Sequence, residues 1–372
     1  MSCAARKAYI GVMSGTSLDA VDAVLLHFDS SGQATAAGGA SLELPRELRH
    51  ELLALNTSGT DELGRSARAS LALAELYAET VRNLLHTTHT RADDITAVGV
   101  HGQTVRHRPD LGYTIQLNAP ARVAELTGID VIADFRSRDI AAGGQGAPLV
   151  PAFHAAQFRS EHTRVILNLG GIANITILDP DGGIRGFDTG PANMLMDAWI
   201  QQHHGRPYDA NGAWAASGTP SAPLLGHLLA DPWFALPPPK STGRDDFSLA
   251  WLNQRIAETL GFAGHPDAAD VQATLLQLTA TSVAQAIKSH APDTTDVLVC
   301  GGGMRNTALM AALQAALPCR VESTDDHGLP AQWVEAAAFA WLAWCYDMRR
   351  PAGLPAVTAA SRPTILGCKY LA

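Results

Sequence analysis

The chain is short of several things that would each define a class of protein. It has only 5 cysteines in 372 residues (Cys3, Cys300, Cys319, Cys345 and Cys368), an odd number with no C-x-x-C spacing. That excludes a disulfide frame and a cysteine zinc site, and it suits reduced thiols in a cytoplasmic protein. Positive charge is scarce: 27 Lys and Arg stand against 36 Asp and Glu, a net charge of -9, which excludes a protein whose main business is gripping nucleic acid or anionic lipid. Long apolar runs are missing too. Residues 9–13 are interrupted by Ser14-Gly15-Thr16, too early for an export signal. The apolar stretch 334–345 contains Glu335 and cannot cross roughly 30 Å of hydrocarbon. There is no G-x-x-x-x-G-K-[ST], no G-x-G-x-x-G after a strand, no H-E-x-x-H and no G-x-S-x-G, so Walker NTPases, Rossmann dehydrogenases, zincins and α/β-hydrolases lose their signatures. The neighbours His203 and His204 lack metal-ligand spacing. What is left is a soluble globular protein, better matched to a small substrate than to a polyanion, with 47% hydrophobic residues to fill its interior.

The length exceeds what one hydrophobic core usually serves, so two domains are expected. Residues 9–13 and 21–28 are β-rich runs flanking a polar turn, and the same grammar returns at 164–169, Gly170-Gly171 and 172–178. This is a weak internal duplication about 155 residues apart. A helix over 61–85, strands over 95–100 and 131–134, a helix over 192–203 fed by a turn at 186–191, and a helix over 267–289 follow from periodicity and punctuation. A strand over 296–300 runs into Gly301-Gly302-Gly303 and a helix from about Asn306 to 316. The expected fold class is α/β, in two halves that each open on a strand hairpin, spanning residues 1–160 and 161–372. Residues 235–247 are proline-rich and read as an ordered surface loop.

Three glycine sites carry chemistry. The first turn, G-V-M-S-G-T-S-L-D-A-V-D, concentrates main-chain N–H groups and hydroxyls where a side chain would block an anion. A tight turn explains that stretch equally well. The second site, L-N-L-G-G-I-A-N, and the third, C-G-G-G-M-R-N, make coincidence a poor explanation, because the third joins a strand to a helix as a nucleotide-base site requires. This order resembles the phosphate and adenosine elements of the actin, hexokinase and Hsp70 superfamily. The strings I-G-V-M-S-G-T-S-L-D, H-G-Q-T-V-R-H, A-D-F-R-S-R-D-I-A-A-G-G-Q-G-A-P-L-V-P, F-D-T-G-P-A-N, P-P-K-S-T-G-R and W-V-E-A-A-A-F-A-W-L-A are similar to those of the anhydro-N-acetylmuramic acid kinase family.

The resemblance implies a two-domain actin-like ATPase fold of ribonuclease H-like halves, with nucleotide and substrate in an interdomain cleft. It implies ATP and Mg²⁺ as cofactors, and a kinase that opens the 1,6-anhydro bond of the sugar with water while phosphorylating O6. Gly15, Thr16, Ser17, Leu18, Asp19, Ala20, Val21 and Asp22 would hold the nucleotide phosphates, together with Gly170, Gly171, Gly301, Gly302, Gly303 and Asn306. Asp19 and Asp22 are the candidate Mg²⁺ ligands, as hard oxygen donors; capping the hairpin is their other use. Asp188 of F-D-T-G-P would be the base that takes a proton from the attacking water, although an aspartate before T-G-P also suits helix capping.

Arg136 and Arg138 can meet a lactyl carboxylate or a phosphate through paired hydrogen bonds, with Asp134 and Asp139 as weaker candidates. His101, Gln103 and Gln145 are expected to contact the sugar, and Lys240 and Arg244 to seal the cleft. Glu335, a charge in an apolar helical stretch, needs a partner and is expected to orient substrate or water. The chain departs from the family pattern at Ala20, where glycine is usual, and at Asp245, where glutamate is expected. A plain hexose or amino-sugar kinase is the nearest rival reading, and a nucleotide-dependent clamp acting on a protein is a more distant one. The expected partners are the sugar and water, with no nucleic acid or membrane, and the expected assembly is a homodimer.

Overall fold

The computed structural model describes residues 7–15, 18–243, 245–263 and 267–372. The described chain groups into two units, residues 1–158 with 328–372 and residues 159–327.

The first unit is built on a six-stranded sheet in the order β13-β7-β4-β1-β2-β3, formed by β1 (Lys7–Ser14), β2 (Ala20–Phe28), β3 (Ala34–Glu43), β4 (Ile95–Val100), β7 (Val131–Ala133) and β13 (Cys368–Tyr370). β1, β2 and β3 are an antiparallel meander, while β4 lies parallel to β1 and β7 parallel to β4. A separate hairpin joins β5 (Gln103–Arg108) to β6 (Tyr113–Leu117). Tyr9, Ile10 and Val12 in β1 and the run Ala97, Val98, Val100 in β4 are buried, as expected of strands covered on both faces.

The second unit has a five-stranded sheet in the order β10-β9-β8-β11-β12. It comprises β8 (Arg164–Leu169), β9 (Ile172–Leu178), β10 (Ile184–Pro191), β11 (Asp296–Cys300) and β12 (Arg320–Ser323). Here too an antiparallel meander, β8 to β10, is followed by parallel strands, β11 beside β8 and β12 beside β11. Each unit therefore repeats one strand plan, the α/β halves expected from the sequence. The long Ala268–His290 helix has thirteen buried residues and forms much of this unit's core.

Two expectations need correction. Residues 186–191 are not a turn: they pair with β9 from Ile184 to Pro191, and because β10 is an edge strand its proline leaves no interior ladder bond unmade. The segment 328–372, expected in the second half, groups with the first. The cause is the Val334–Asp347 helix, which is buried from Ala336 through Cys345 and lies against β1, β2 and β4. It comes this close because β1 and β4 present Gly11 and Gly99, where an added Cβ would collide with the main chain of Ala336 and of Phe339. Burying Phe339 and Leu342 there contributes about 1.5 to 3 kcal/mol each.

Candidate active site

In the first unit, β4 is followed by His101, whose main-chain N–H donates to Val12 O at 3.1 Å. Arg136, in the Phe135–Ala141 helix, donates to His101 Nε2 from Nε at 3.1 Å and from Nη2 at 2.9 Å, and from Nη1 to Gly146 O at 2.7 Å. An imidazole nitrogen that accepts two such bonds is unprotonated. Burial and then the Arg136 charge hold His101 well below the usual histidine range, so the ring is neutral. Burial lowers the Arg136 guanidinium to about 10, opposed by the charges of Glu335 and Asp139, and it remains cationic at neutral pH.

The structure thus brings His101 and Arg136 together within reach of the Glu335 charge, in the first turn of the Val334–Asp347 helix, and one turn further on Phe339 meets the His101 ring at 4.7 Å between centroids. Gln103 is buried beside them in sequence, and its Oε1 accepts no hydrogen bond among the described residues. Asp139 is fully buried and structural: Oδ2 accepts from Gly146 N at 2.8 Å and Oδ1 from Thr358 Oγ1 at 2.8 Å. Asp134, Arg138 and Gln145 are exposed. Asp134 is bonded by Ser137 Oγ, and Gln145 is held through its main-chain N–H, which donates to Thr358 O at 2.7 Å.

At the first hairpin, Leu18 N donates to Gly15 O at 3.1 Å, closing the loop on itself, while Thr16 and Ser17 lie outside the described residues. Asp19 is exposed and ion-paired with Arg49 at 3.2 Å. Ala20, Val21 and Asp22 belong to β2, with Val21 buried. Among the described residues no group of three or more His, Cys, Asp or Glu side chains gathers as a metal cage.

The second unit carries a polar row that sequence spacing alone did not single out. Asp188 on β10 stands opposite Asn174 on β9, Asn174 opposite Asn168 on β8, and Asn168 opposite Cys300 on β11. A two-residue turn at Gly170-Gly171 would pair Asn168 with Ala173, so only the observed register, with Asn168 opposite Asn174, discloses the row. Gly170 and Gly171 close that turn, and their carbonyls accept from the main-chain N–H groups of Ala192, Asn193 and Met194, so the Asn193–His204 helix starts against it. Asn193 Nδ2 donates to Leu169 O at 3.1 Å.

Gly301, at φ +84°, follows β11 where a Cβ would strike Asn168 Oδ1, whereas a Cβ on Gly302 would meet nothing within 4 Å. Asn306 is occupied as a helix cap, its Oδ1 accepting from Leu309 N at 3.0 Å.

Asp188 itself caps no helix: the residue before the Asn193–His204 helix is Ala192, and no side chain caps it. Its Oδ2 accepts from Thr242 N at 2.9 Å. Burial raises the carboxyl to about 6, opposed by the Thr242 N–H. A carboxylate with that pKa is still mostly ionised at neutral pH and more basic than usual, as a general base requires. Lys240 lies in the same loop, and Arg244 lies outside the described residues.

A family model for anhydro-N-acetylmuramic acid kinase matches residues 7–372. The chain is 60% identical over 363 residues to a Bordetella petrii protein named anhydro-N-acetylmuramic acid kinase, covering 97% of this chain and 96% of that one. It is 51% identical over 364 residues to a Chromobacterium violaceum protein of the same name, covering 97% and 98%. Among solved structures, component A of the (R)-2-hydroxyglutaryl-CoA dehydratase of Acidaminococcus fermentans matches with a TM-score of 0.49 at 11% identity, covering 90% of this chain and 96% of that one.

Proposed function

The chain belongs to the anhydro-N-acetylmuramic acid kinase family, and from that premise we propose that it uses ATP and water to convert 1,6-anhydro-N-acetylmuramic acid into N-acetylmuramic acid 6-phosphate and ADP in cell-wall sugar recycling. The observation that carries this reading to the level of residues is the half-buried Asp188 carboxylate, raised to about 6 and fixed through one oxygen by the Thr242 N–H. It takes the proton of a water that attacks C1 as the C1–O6 bond breaks through an oxocarbenium-like state. The freed O6 then attacks the γ-phosphoryl group of ATP. Asn168 and Asn174, in one cross-strand row with Asp188, supply neutral hydrogen-bonding groups at the same level of the sheet.

The nucleotide fits the glycine sites on geometric grounds. A Cβ added at Gly302 would meet open space, and one added at Gly170 or Gly171 would meet no atom closer than 3.5 Å, so these positions leave room for phosphate oxygens to approach main chain directly. The residues proposed to hold ATP are these, Gly301, Gly303 and the first loop from Gly15 to Asp22, with Asn306 supporting the adenosine side as a cap. Mg²⁺ suits this donor set only as an ion carried by the phosphates, with Asp19 or Asp22 adding one carboxylate; it would neutralise phosphate charge during transfer.

Arg136 is proposed to bind the lactyl carboxylate, fixed by His101 and Gly146 so that its remaining N–H groups are aimed in advance. Glu335 is proposed to orient water or the sugar, with His101, Gln103, Asp134, Arg138 and Gln145 completing the sugar site. Among the described residues no helix is long and apolar enough to cross a membrane, and a cytoplasmic homodimer is proposed.

The test is a reaction in heavy-oxygen water, read by mass spectrometry before anomeric exchange. Label at C1 of the product is expected. A product without label would make the protein a plain sugar kinase. Beside it, ATP consumption with the anhydro sugar should exceed that with its analogue lacking the lactyl group.

A further inference from the structure

Asp188 is held from outside its own sheet. Its main-chain N–H donates to Lys240 O at 3.0 Å and its Oδ2 accepts from Thr242 N at 2.9 Å, so residues 240–242 run beside edge strand β10 as an added partner. That stretch is stapled on its other side. Lys240 Nζ donates to Phe234 O at 2.9 Å and to Trp233 O at 3.3 Å, and it lies 4.3 Å from the centroid of the Trp233 ring. Trp233 Nε1 in turn donates to Ser241 O at 3.3 Å. Trp233 and Phe234 pack on the buried Phe247, with centroids 5.3 and 5.5 Å away. Phe234 also backs the strand, since a Cβ on Gly190 would sit 2.7 Å from its Cε1.

Burial raises the Asp188 carboxyl, opposed by the Thr242 N–H, and the Lys240 ammonium is engaged by the carbonyls of Trp233 and Phe234. The ammonium itself is depressed by burial. Among the described residues, the charged and titratable groups against this segment and its staple include Asp246, which accepts from Thr242 Oγ1 at 2.8 Å, Asp231, which accepts from Trp233 N at 3.0 Å and from Arg255 Nη2 at 2.8 Å, and His290, lowered by burial and then by Arg185 and Lys240. A partly desolvated cation set on two carbonyls and an indole face is costly to place, and its effect here is geometric.

We propose that Lys240 is a positioning residue for Asp188: its ammonium locks residues 233–234 to residues 240–242, and this lock aims the Thr242 N–H, and through it the Asp188 carboxylate, at the attacking water. The proposal rests on the reading of Asp188 as the base. Misplacing a catalytic group by an ångström costs up to about a hundredfold in rate.

The experiment compares Lys240→Met, Lys240→Arg, Asp188→Asn and the Lys240→Met/Asp188→Asn double variant with the parent enzyme, using ATP and the anhydro sugar. Lys240→Met is expected to lower kcat by about tenfold with the KM for ATP within about twofold of the parent. Water reaching the carboxylate should shift the acid limb of its pH–rate profile toward lower pH. Lys240→Arg should recover most of the rate, because a guanidinium can span the same carbonyls and stack on the indole. Lys240→Met should add nothing in the Asp188→Asn background. Amide hydrogen exchange at Thr242 should quicken in Lys240→Met, an outcome independent of what Asp188 does. A parental kcat together with an unchanged Thr242 amide overturns the proposal, as does a kcat loss of the same size in both backgrounds. Should Asp188→Asn alone turn over normally, the base reading falls, while the exchange measurement still decides whether Lys240 is the lock.

Discussion

Arg136 grips His101 through two nitrogens, Nε at 3.1 Å and Nη2 at 2.9 Å from the same imidazole nitrogen. A guanidinium can do this and also reach Gly146 O, because its donors are fixed in a plane. A lysine has one nitrogen to offer. Arg136→Lys is therefore expected to raise the KM for the sugar by about tenfold or more while leaving the KM for ATP near the parental value. Initial-rate kinetics with each substrate varied in turn check this. Equal rises in both constants would remove Arg136 from the sugar site.

Asp188 predicts opposite changes in activity and stability. As the anionic base it should give a rate that rises with pH and levels off above about 6, the pKa of the buried carboxyl. Asp188→Asn is expected to lower turnover by about 10²- to 10⁴-fold and to leave ATP binding intact. The folded carboxyl binds its proton more tightly than the unfolded one, so its burial is tolerated below pH 3.8 and becomes destabilising as pH rises from there through about 6. The cost at neutral pH is up to about 3 kcal/mol. Asp188→Asn should therefore melt higher than the parent at pH 7, and the two should converge near pH 4. Melting curves at both pH values, beside turnover, make the check.

The strands that place these groups were legible in the sequence wherever an apolar, β-branched run was bounded by glycine or other turn formers. The spans 95–100, 164–169, 172–178 and 296–300 match the strands residue for residue. F-D-T-G-P misled because its turn formers serve an edge strand, whose position in a sheet no local signal records. The Val334–Asp347 helix was legible as apolar, but which sheet it would cover depends on Gly11 and Gly99, more than 200 residues earlier in the chain. Asp188 was found through its motif. The support it receives was not, since Thr242 meets it across 54 residues, and a lysine in a proline-rich loop looks like an ordinary solvated charge.

Gly11 should be among the least replaceable residues of the first unit. Its missing side chain is where the main chain of Ala336 passes, and neither a strand in mid-sheet nor a buried helix yields easily. Gly11→Ala is expected to destabilise by about 3 kcal/mol or more, at the upper end of what overpacking costs. Denaturant melts will show it as a lower midpoint with an unchanged slope. A loss below about 0.5 kcal/mol, the range of ordinary surface changes, would mean that the helix does not sit on β1 through this residue.

Gly302 offers the contrasting case, in which function rather than packing requires the glycine. Its neighbour Gly301 has φ +84° and no room for a Cβ beside Asn168, so alanine there would be strained on two counts. A Cβ at Gly302 meets no protein atom within 4 Å and its φ is not left-handed, so Gly302→Ala should melt with the parent or slightly above it, by the usual gain of replacing glycine where the backbone permits. The same methyl enters the space assigned to the nucleotide. Gly302→Ala is therefore expected to raise the KM for ATP by about tenfold, with kcat at saturating ATP and the KM for the sugar little changed. Melting temperature and ATP titration on one preparation separate the two effects. A fully active, fully stable variant would move the nucleotide away from the end of β11.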